Sequence, residues 1–320
     1  MGWRLLGALF AAIVSGMAQA QPAYPARAVR IIVPFAPGGG TDIVARILAA
    51  RLSDKLGQGF FIDNRPAGSG IVGADAVAKA TPDGYTILFA FSSLSSSAKL
   101  MSKLPYDPVA DFAPVTVATV SPLVLFIHPS LPARTVQEFI AYAKANPGKL
   151  NYGSSGLGSS PHLGTELFMS MTGISMTHIP YKGIAPAITA QLANEVQLTM
   201  TPIAVGMPHV RAGRLVAMAA AGLKRSGAIP GVPTVDESGV PGFEVVALWG
   251  VLAPARTPRS IVDILNRELR AALDLPDLRK TLFEQGMEPA GGTPEAFAAL
   301  IKADMDKWGD IGKRLGITLD

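Results

Sequence analysis

Cysteine is absent from all 320 residues of the chain. This absence excludes disulfide bonds, thiolate metal sites and cysteine nucleophiles together. Aromatic residues are scarce, at 7%, and the charged residues, 28 basic and 24 acidic, are scattered without a basic block. A nucleic-acid partner needs a concentrated basic stripe, usually with aromatic rings beside it. We therefore predict no nucleic-acid partner, whereas the mild positive balance suits a small anionic ligand.

The apolar run near the start of the chain is too short to be a membrane span. Leu5 to Met17 follows the basic Arg4 and precedes the small-residue pattern Ala18-Gln19-Ala20. A span needs roughly 18–20 apolar residues, whereas this pattern is typical of an export signal. We expect residues 1–20 to be removed after Ala20, without a lipid anchor because no cysteine follows. An exported chain without disulfides fits a bacterial periplasm.

The remaining chain repeats a strand-loop-helix unit, with apolar runs that alternate with helical periodicity. Strands are predicted at 30–33, 60–62, 85–90, 115–120, 123–127, 150–152 and 177–181. Helices are predicted at 43–56, 72–80, 136–145, 186–193, 261–273 and 294–315. This alternation predicts an α/β fold of mainly parallel sheets flanked by helices, with ligands outside the carboxyl ends of the strands.

A glycine loop separates the first strand from its helix, in the stretch Val33-Pro34-Phe35-Ala36-Pro37-Gly38-Gly39-Gly40-Thr41-Asp42. A helix start of this kind offers unpaired N–H groups and the positive end of the helix dipole to an anion. The sequence disfavours a phosphate as that anion, because the GxxxxGK[ST] string is missing and the GxGxxG string lacks its third glycine. Asp42 would repel an anion, so we interpret it as a residue that caps or charges the helix start.

Catalytic patterns are incomplete in this sequence. Gly153-Ser154-Ser155-Gly156-Leu157 approaches the GxSxG elbow of serine hydrolases but has leucine in place of the second glycine. The four histidines show no metal-ligand spacing. We predict a binding protein with no catalytic residue, metal or cofactor. An exported hydrolase that uses Ser155 or Ser159 with His162 remains the alternative.

A series of short motifs resembles the receptors of tripartite tricarboxylate transporters, also called Bug receptors. The matching strings run in order along the chain: Pro34-Phe35 with Gly38-Gly39 and Thr41-Asp42, Asn64-Arg65-Pro66-Ala67-Gly68 with Gly73-Ala74-Asp75, Pro82-Asp83-Gly84-Tyr85-Thr86, Leu104-Pro105-Tyr106-Asp107-Pro108, Tyr152-Gly153-Ser154, Pro180-Tyr181-Lys182-Gly183, Gly231-Val232-Pro233-Thr234 and Trp249-Gly250-Val251-Leu252-Ala253-Pro254. Each string alone is weak, but together and in this order they are specific.

The resemblance implies a two-lobed, type II-like periplasmic binding protein that closes on a small carboxylate and delivers it to a membrane permease. Loop amides, hydroxyls and waters would hold the ligand between the lobes. The first lobe would contribute Phe35, Ala36, Pro37, Gly38, Gly39, Gly40, Thr41 and Ser69, together with the loop hydroxyls of Ser92 and Ser93. The second lobe would contribute Ser154, Ser155, Ser159, His162, Tyr181, Lys182 and Gly183.

The ligand class follows from two departures from the family pattern. Where many relatives carry Gly-x-Val-Asp, this chain reads Glu195-Val196-Gln197-Leu198, and Thr199-Met200-Thr201-Pro202 also lacks an aspartate. With less negative charge to pair an ammonium group, we expect a di- or tricarboxylate, or an aromatic carboxylate, rather than an amino acid.

The domain organisation is predicted from where the chain crosses between lobes. Crossings near Val120-Ser121-Pro122 and near Gly222-Leu223 assign residues 24–122 and about 224–275 to lobe 1, and 123–223 to lobe 2. Residues 276–320 would form C-terminal helices that brace the lobes. We expect a monomer with permease subunits as partners. A sensor protein as an alternative partner remains open.

Overall fold

The computed structural model describes residues 24–67, 70–90, 92–101 and 103–319. The predicted export signal lies outside these residues, so its removal after Ala20 stays a prediction. Among the described helices, none combines the length and apolar character needed to cross a membrane.

Ten strands and ten helices form the described fold. The strands are β1 (Val29–Val33), β2 (Phe60–Asn64), β3 (Thr86–Phe89), β4 (Phe112–Ile127), β5 (Asn151–Ser154), β6 (Thr177–Pro180), β7 (Leu198–Pro202), β8 (Val216–Ala220), β9 (Val246–Pro254) and β10 (Glu288–Gly291). The helices are α1 (Gly40–Leu56), α2 (Ile71–Ala78), α3 (Ser92–Ser96), α4 (Val136–Ala145), α5 (Ser160–Thr172), α6 (Ile184–Leu192), α7 (Ile203–Arg211), α8 (Arg259–Leu273), α9 (Pro276–Glu284) and α10 (Pro294–Leu315).

The strands form one continuous mixed sheet in the order β2-β1-β3-β9-β4-β7-β5-β6, with β8 and β10 also paired to β4. The pairs β1–β2, β1–β3, β5–β6 and β5–β7 are parallel, as strand-helix-strand units require. The pairs that β4 and β9 make are antiparallel. The α/β prediction is confirmed, and the antiparallel centre makes the sheet mixed rather than mainly parallel.

Strand β4 belongs to both halves of the molecule. Its residues 112–122 pair with β9, whereas residues 123–127 pair with β7 and β8. The change of partner falls at Pro122, where the missing N–H of proline costs the ladder least. We propose this point of the chain as the first crossing between the halves.

Hydrogen bonds around Ala221 indicate where the chain returns to the first half. Ala221 N–H donates to Leu123 O over 2.7 Å, and Val245 N–H donates to Ala221 O over 2.7 Å. Before that point, Val235 N–H donates to Ala220 O, and Phe243 packs edge-on against Phe168. These contacts join Val235, Phe243 and Val245 to the second half, and they support a boundary later than the predicted crossing near Gly222-Leu223. We propose lobe 2 as residues 123–245.

Helix α10 contacts both halves. Phe297 is buried in a core cluster with residues of β1, β3 and β9, and Asp304 accepts a hydrogen bond from Ser95 of α3. Farther along, Lys307 Nζ lies 3.6 Å from Glu244 Oε2, which belongs to the proposed lobe 2. These contacts support the proposal that α10 braces the two lobes.

Candidate functional site

Two adjoining chambers lie between the lobes, beyond the carboxyl ends of β1, β5, β6 and β7. The first, of about 550 Å³ including space open to solvent, is here called the tryptophan chamber; it is lined by Phe35, Gly39–Thr41, Leu123, Ser155, Ser159–Pro161, Ile184, Pro202 and Ala247–Trp249. The second, of about 520 Å³ and also including space open to solvent, is called the lysine chamber. It is lined by Pro34, Phe35, Pro66, Ala67, Gly70, Ser155–Leu157 and Pro180–Lys182. Phe35 and Ser155 line both chambers.

The glycine loop brings the start of α1 to the tryptophan chamber. Gly39 is the N-cap and has no side chain with which to satisfy the first N–H groups of the helix. A Cβ atom on Gly40 would lie 3.1 Å from Pro202 Cγ and 3.3 Å from the Trp249 ring. Glycine therefore allows the helix start to approach lobe 2 closely, with N–H groups that have no partner within the helix.

Asp42 faces its own loop. Its buried carboxylate accepts hydrogen bonds from Gly38 N–H at 3.0 Å, Asn64 Nδ2 at 2.9 Å and Arg46 Nε at 2.9 Å. Burial raises the pKa of Asp42, but the hydrogen bonds from Arg46, Gly38 and Asn64 outweigh burial and lower that pKa overall. Asp42 is thus a negative group with its acceptors occupied, and it fixes the loop rather than facing the chamber.

Trp249 presents an apolar surface to the chamber. Its Nε1–H donates to Thr41 Oγ1 over 2.9 Å, which occupies the polar atom of the indole ring. The bond also orients Thr41, whose own hydroxyl hydrogen remains available as a donor. This pair joins α1 to β9 at the place where the lobes meet.

The serine loop after β5 brings the start of α5 to the opposite wall. Ser159 is the N-cap: its Oγ accepts from His162 N–H at 3.4 Å and donates to Gly156 O at 2.7 Å. Ser154 lies behind the loop, where its Oγ accepts from Gly156 N–H at 3.0 Å.

His162 forms a buried stack with His178 and Tyr152. The two imidazole centroids are 4.2 Å apart, and the Tyr152 ring lies 4.8 Å from that of His178. Burial lowers the pKa of His162 to about 4, and burial together with the neighbouring His162 lowers the pKa of His178 to about 3. Both rings are therefore neutral near pH 7.

The hydrolase alternative gains no support from this geometry. The Nδ1 atom of His162 accepts from Gly158 N–H at 3.2 Å, and its Nε2 atom lies 4.0 Å from Glu166. Its ring nitrogens therefore face groups other than Ser155 or Ser159. A serine hydrolase needs its base within hydrogen-bond reach of the serine hydroxyl.

The lobes touch directly beside the chambers. Ala36 N–H donates to Lys182 O over 3.3 Å, and Ser96 Oγ donates to Gly158 O over 2.6 Å. A Cβ atom on Gly183 would lie 3.1 Å from Ala36 N, and the φ of +135° at Gly183 also favours glycine. This arrangement, in which the lobes are in direct contact, is here called closed.

The predicted site residues divide into five groups by position. The chambers bring together Phe35, Gly39, Gly40, Thr41, Ser155, Ser159, Tyr181 and Lys182. Ala36 and Gly183 form the lobe contact, whereas Ser154 and His162 lie behind the serine loop and Pro37 and Gly38 are exposed. Ser69 lies outside the described residues, and Ser92 and Ser93 begin α3, with side chains outside the description. The assignment of these residues to ligand binding stays a prediction.

Eight residues that line the tryptophan chamber were missed by the sequence reasoning: Leu123, Ser160, Pro161, Ile184, Pro202, Ala247, Leu248 and Trp249. Trp249 is 208 residues from its hydrogen-bond partner Thr41, and no local pattern reports so distant a pairing. Ser160 could have been found from the sequence, because a serine directly before a proline is typical of a helix start, and helix starts are candidate anion sites. Among the described residues, no group of three or more histidines, aspartates or glutamates is arranged to hold a metal ion.

Comparison with known proteins identifies the family. The family model for the tripartite tricarboxylate transporter family receptor matches residues 44–317. The solved structure of Rpa4515 from R. palustris with adipate has a TM-score of 0.90 and 40% identity, covering 92% of this chain and 99% of that one. The periplasmic binding protein BugD has a TM-score of 0.89 and 33% identity, with coverage of 92% and 99%.

A third structure agrees with these matches. MatC (Rpa3494) from Rhodopseudomonas palustris with bound malate has a TM-score of 0.86 and 33% identity, covering 90% of this chain and 99% of that one. The resemblance stated from the sequence motifs is therefore confirmed over most of the chain. The chain belongs to the receptor family of tripartite tricarboxylate transporters and has the two-lobed α/β fold of periplasmic binding proteins.

Proposed function

We propose that this protein is a non-catalytic receptor that binds a small carboxylate in the tryptophan chamber by closure of its lobes. One observation carries the proposal: the starts of α1 and α5, which come from opposite lobes, line the same chamber. Helix starts attract anions through their unpaired N–H groups and dipoles. An anion between two such starts favours the closed arrangement, because it contacts both lobes at once.

The strength of such a site is sufficient for a transport receptor. A hydrogen bond to a charged group contributes roughly 1.5–3 kcal/mol net, and micromolar affinity needs about 8 kcal/mol. Four or five bonds from the first turns and from the hydroxyls of Thr41 and Ser155 supply that amount after the cost of closure.

The ligand class is supported by the chamber and by the relatives. The described residues that line the tryptophan chamber include no acidic side chain, so the ammonium group of an amino acid would lack a counter-charge there. Related receptors have been solved with adipate and with malate. A di- or tricarboxylate or an aromatic carboxylate is the proposed ligand of this chain as well.

The setting of this function follows from the family. We propose that residues 1–20 are removed on export and that the receptor works as a monomer in the periplasm. It would deliver its ligand to the membrane permease of a tripartite transporter. Closure of the cleft would then present the loaded form to that permease.

A thermal-shift assay tests the proposal on the exported protein. Succinate, adipate, malate, citrate, benzoate and glutamate are compared with adipamide, a neutral analogue of adipate. A ligand at 100 times its Kd stabilises by about 2.7 kcal/mol, which raises the Tm of a chain of this size by about 4 °C. Failure of every carboxylate to raise the Tm, together with hydrolysis of an ester substrate, would overturn the receptor function.

A further inference from the structure

The hydroxyl of Ser160 is buried at the chamber wall without a partner. Ser160 is 4% exposed and lines the tryptophan chamber. Within the described part of the chain, its Oγ atom has no hydrogen-bond partner. Buried hydroxyls are nearly always hydrogen-bonded. The hydroxyls of Thr119, Thr201 and Thr257 also lack a partner among the described residues, but these residues do not line the chamber. The position of Ser160 at the chamber wall therefore points to a group that arrives from outside the protein.

At this wall of the described structure, Ser160 is a free hydrogen-bond donor, whereas its two neighbours in the chain are not. The Oγ of Ser159 already donates to Gly156 O and accepts from His162 N–H. Pro161 has no N–H to offer, although it occupies the first turn of α5. Ser160 therefore supplies the O–H and the N–H with which the start of α5 can meet a ligand.

Apart from the hydroxyls of Thr41 and Ser155, which the proposed function assigns to the carboxylate groups, the walls of the chamber give few hydrogen-bond partners to polar groups along a ligand's carbon body. Phe35, Leu123, Ile184 and Pro202 present apolar surface, and the indole N–H of Trp249 is occupied by Thr41. A ligand hydroxyl placed against these walls would lose its water without gaining a partner. A hydrocarbon body would instead replace water at an apolar surface.

We propose that Ser160 is a ligand-contacting residue whose hydroxyl donates to a carboxylate oxygen, and that the apolar walls select carboxylates with an unsubstituted carbon body. This inference rests on the proposed carboxylate receptor function and names its ligand class more closely. Ser160 would hold the anionic end beside the start of α5. The walls around Trp249 would contact the hydrocarbon part of the same ligand.

Two matched ligand pairs and two variants test this inference by calorimetric titration. Succinate and malate differ by one hydroxyl, whereas adipate and galactarate differ by four hydroxyls on the same six-carbon chain. We expect the wild type to bind the unsubstituted member of a pair at least about tenfold more tightly. The substitution Ser160→Ala should weaken that binding by about 10- to 100-fold.

The stability of the ligand-free variants separates a contact from a structural role. Ser160→Ala should leave the Tm of the ligand-free protein unchanged or slightly higher, because its hydroxyl has no partner in the protein. Ser159→Ala removes an N-cap and should lower that Tm. Unchanged affinity in Ser160→Ala, or equal binding of hydroxylated and unsubstituted ligands, would overturn this inference while the receptor function stands. A wild type that binds no carboxylate at all would instead overturn the receptor function, and this inference with it.

Discussion

The stacked rings of His162 and His178 bear directly on how the protein responds to acid. The rings lie behind the serine loop, and His178 Nε2 is 2.6 Å from Ser154 Oγ. A second positive charge at a centroid distance of 4.2 Å, in a buried setting, is unfavourable. Acid should therefore loosen the wall of the chamber that carries the start of α5.

The sign of this pH dependence follows from the lowered pKa values of the two histidines, about 4 and about 3. The unfolded chain takes up these protons below about pH 6.5, whereas the folded protein does not. The free energy of unfolding should fall as pH decreases from about 6.5 towards 4, by up to about 1.4 kcal/mol per pH unit for each ring. Denaturant unfolding at a series of pH values measures this slope.

A variant isolates the histidine contribution from the other titrating groups. His178→Asn keeps an amide that can bond with Ser154 but cannot take up a proton near neutral pH. Its unfolding free energy should decline less steeply with acid than that of the wild type. Equal slopes of the unfolding free energy against pH in the two proteins would contradict the role assigned to the buried rings.

Single residues also show where sequence reasoning stopped. Asp42 was interpreted as a residue that caps or charges the helix start. It lies in the first turn of α1 as a negative charge, but the N-cap is Gly39, and Asp42 instead bonds with Gly38, Asn64 and Arg46. The partnerless hydroxyl of Ser160 could not be predicted, because burial and missing partners depend on the walls that α1 and β9 supply. Local capping chemistry is visible in a sequence, whereas the satisfaction of a hydroxyl is a property of the assembled fold.

At the scale of elements, the N-cap of α6 controls how closely the lobes approach. Gly183 combines a φ of +135° with a contact to Ala36 of the other lobe. A side chain there is strained in any state of the protein, and in the closed arrangement it also presses on the Ala36 backbone. The same helix start therefore affects both folding and closure.

The substitution Gly183→Ala should lower the free energy of unfolding by about 1–3 kcal/mol and weaken carboxylate binding by about tenfold or more. Gly173→Ala is the matched control: Gly173 has a φ of +67° at the end of α5, and a Cβ atom added there would have no atom within 4 Å. That variant should lose stability by about 1–2 kcal/mol and keep its affinity. Equal effects of both variants on binding would count against the closure role.

Element boundaries were predictable where the signals are local. The range 136–145 of α4 was predicted as observed, because Thr135 and Glu138 form a capping box at its start. By contrast, β4 was predicted as two strands interrupted at Ser121-Pro122, but it is continuous from Phe112 to Ile127. Pro122 normally indicates an interruption, yet here it falls where the strand exchanges one partner for another.

At the scale of the whole molecule, ligand binding and closure should be coupled. The contacts Ala36–Lys182 and Ser96–Gly158 hold the lobes together beside the chambers. An anion between the starts of α1 and α5 would add hydrogen bonds to both lobes. It would therefore shift the population towards the closed form.

Small-angle scattering tests this coupling. We expect a smaller radius of gyration with a saturating carboxylate than without it, and no change with the neutral adipamide. Gly183→Ala should show a smaller decrease at the same ligand occupancy. Identical scattering curves with and without bound carboxylate would exclude closure as the binding mechanism.

The division into lobes was the feature that the sequence specified least. The first crossing, near Pro122, was placed within the observed change of partners in β4. The second was placed near Gly222, although the segment up to Val245 hydrogen-bonds with Ala221 and Ala220. Composition shifts indicate loops, but only tertiary pairing shows which core a segment joins.

The course of β4 also bears on how such receptors diversify. In the proposed division, lobe 2 is one uninterrupted block of the chain, residues 123–245, set inside lobe 1 and joined to it through the two long strands β4 and β9. A recombination event that replaced this block would exchange one entire wall of the cleft while retaining the other. New ligand preferences could thus arise by exchange of a single gene segment, provided that both junctions preserve the register of the shared strands.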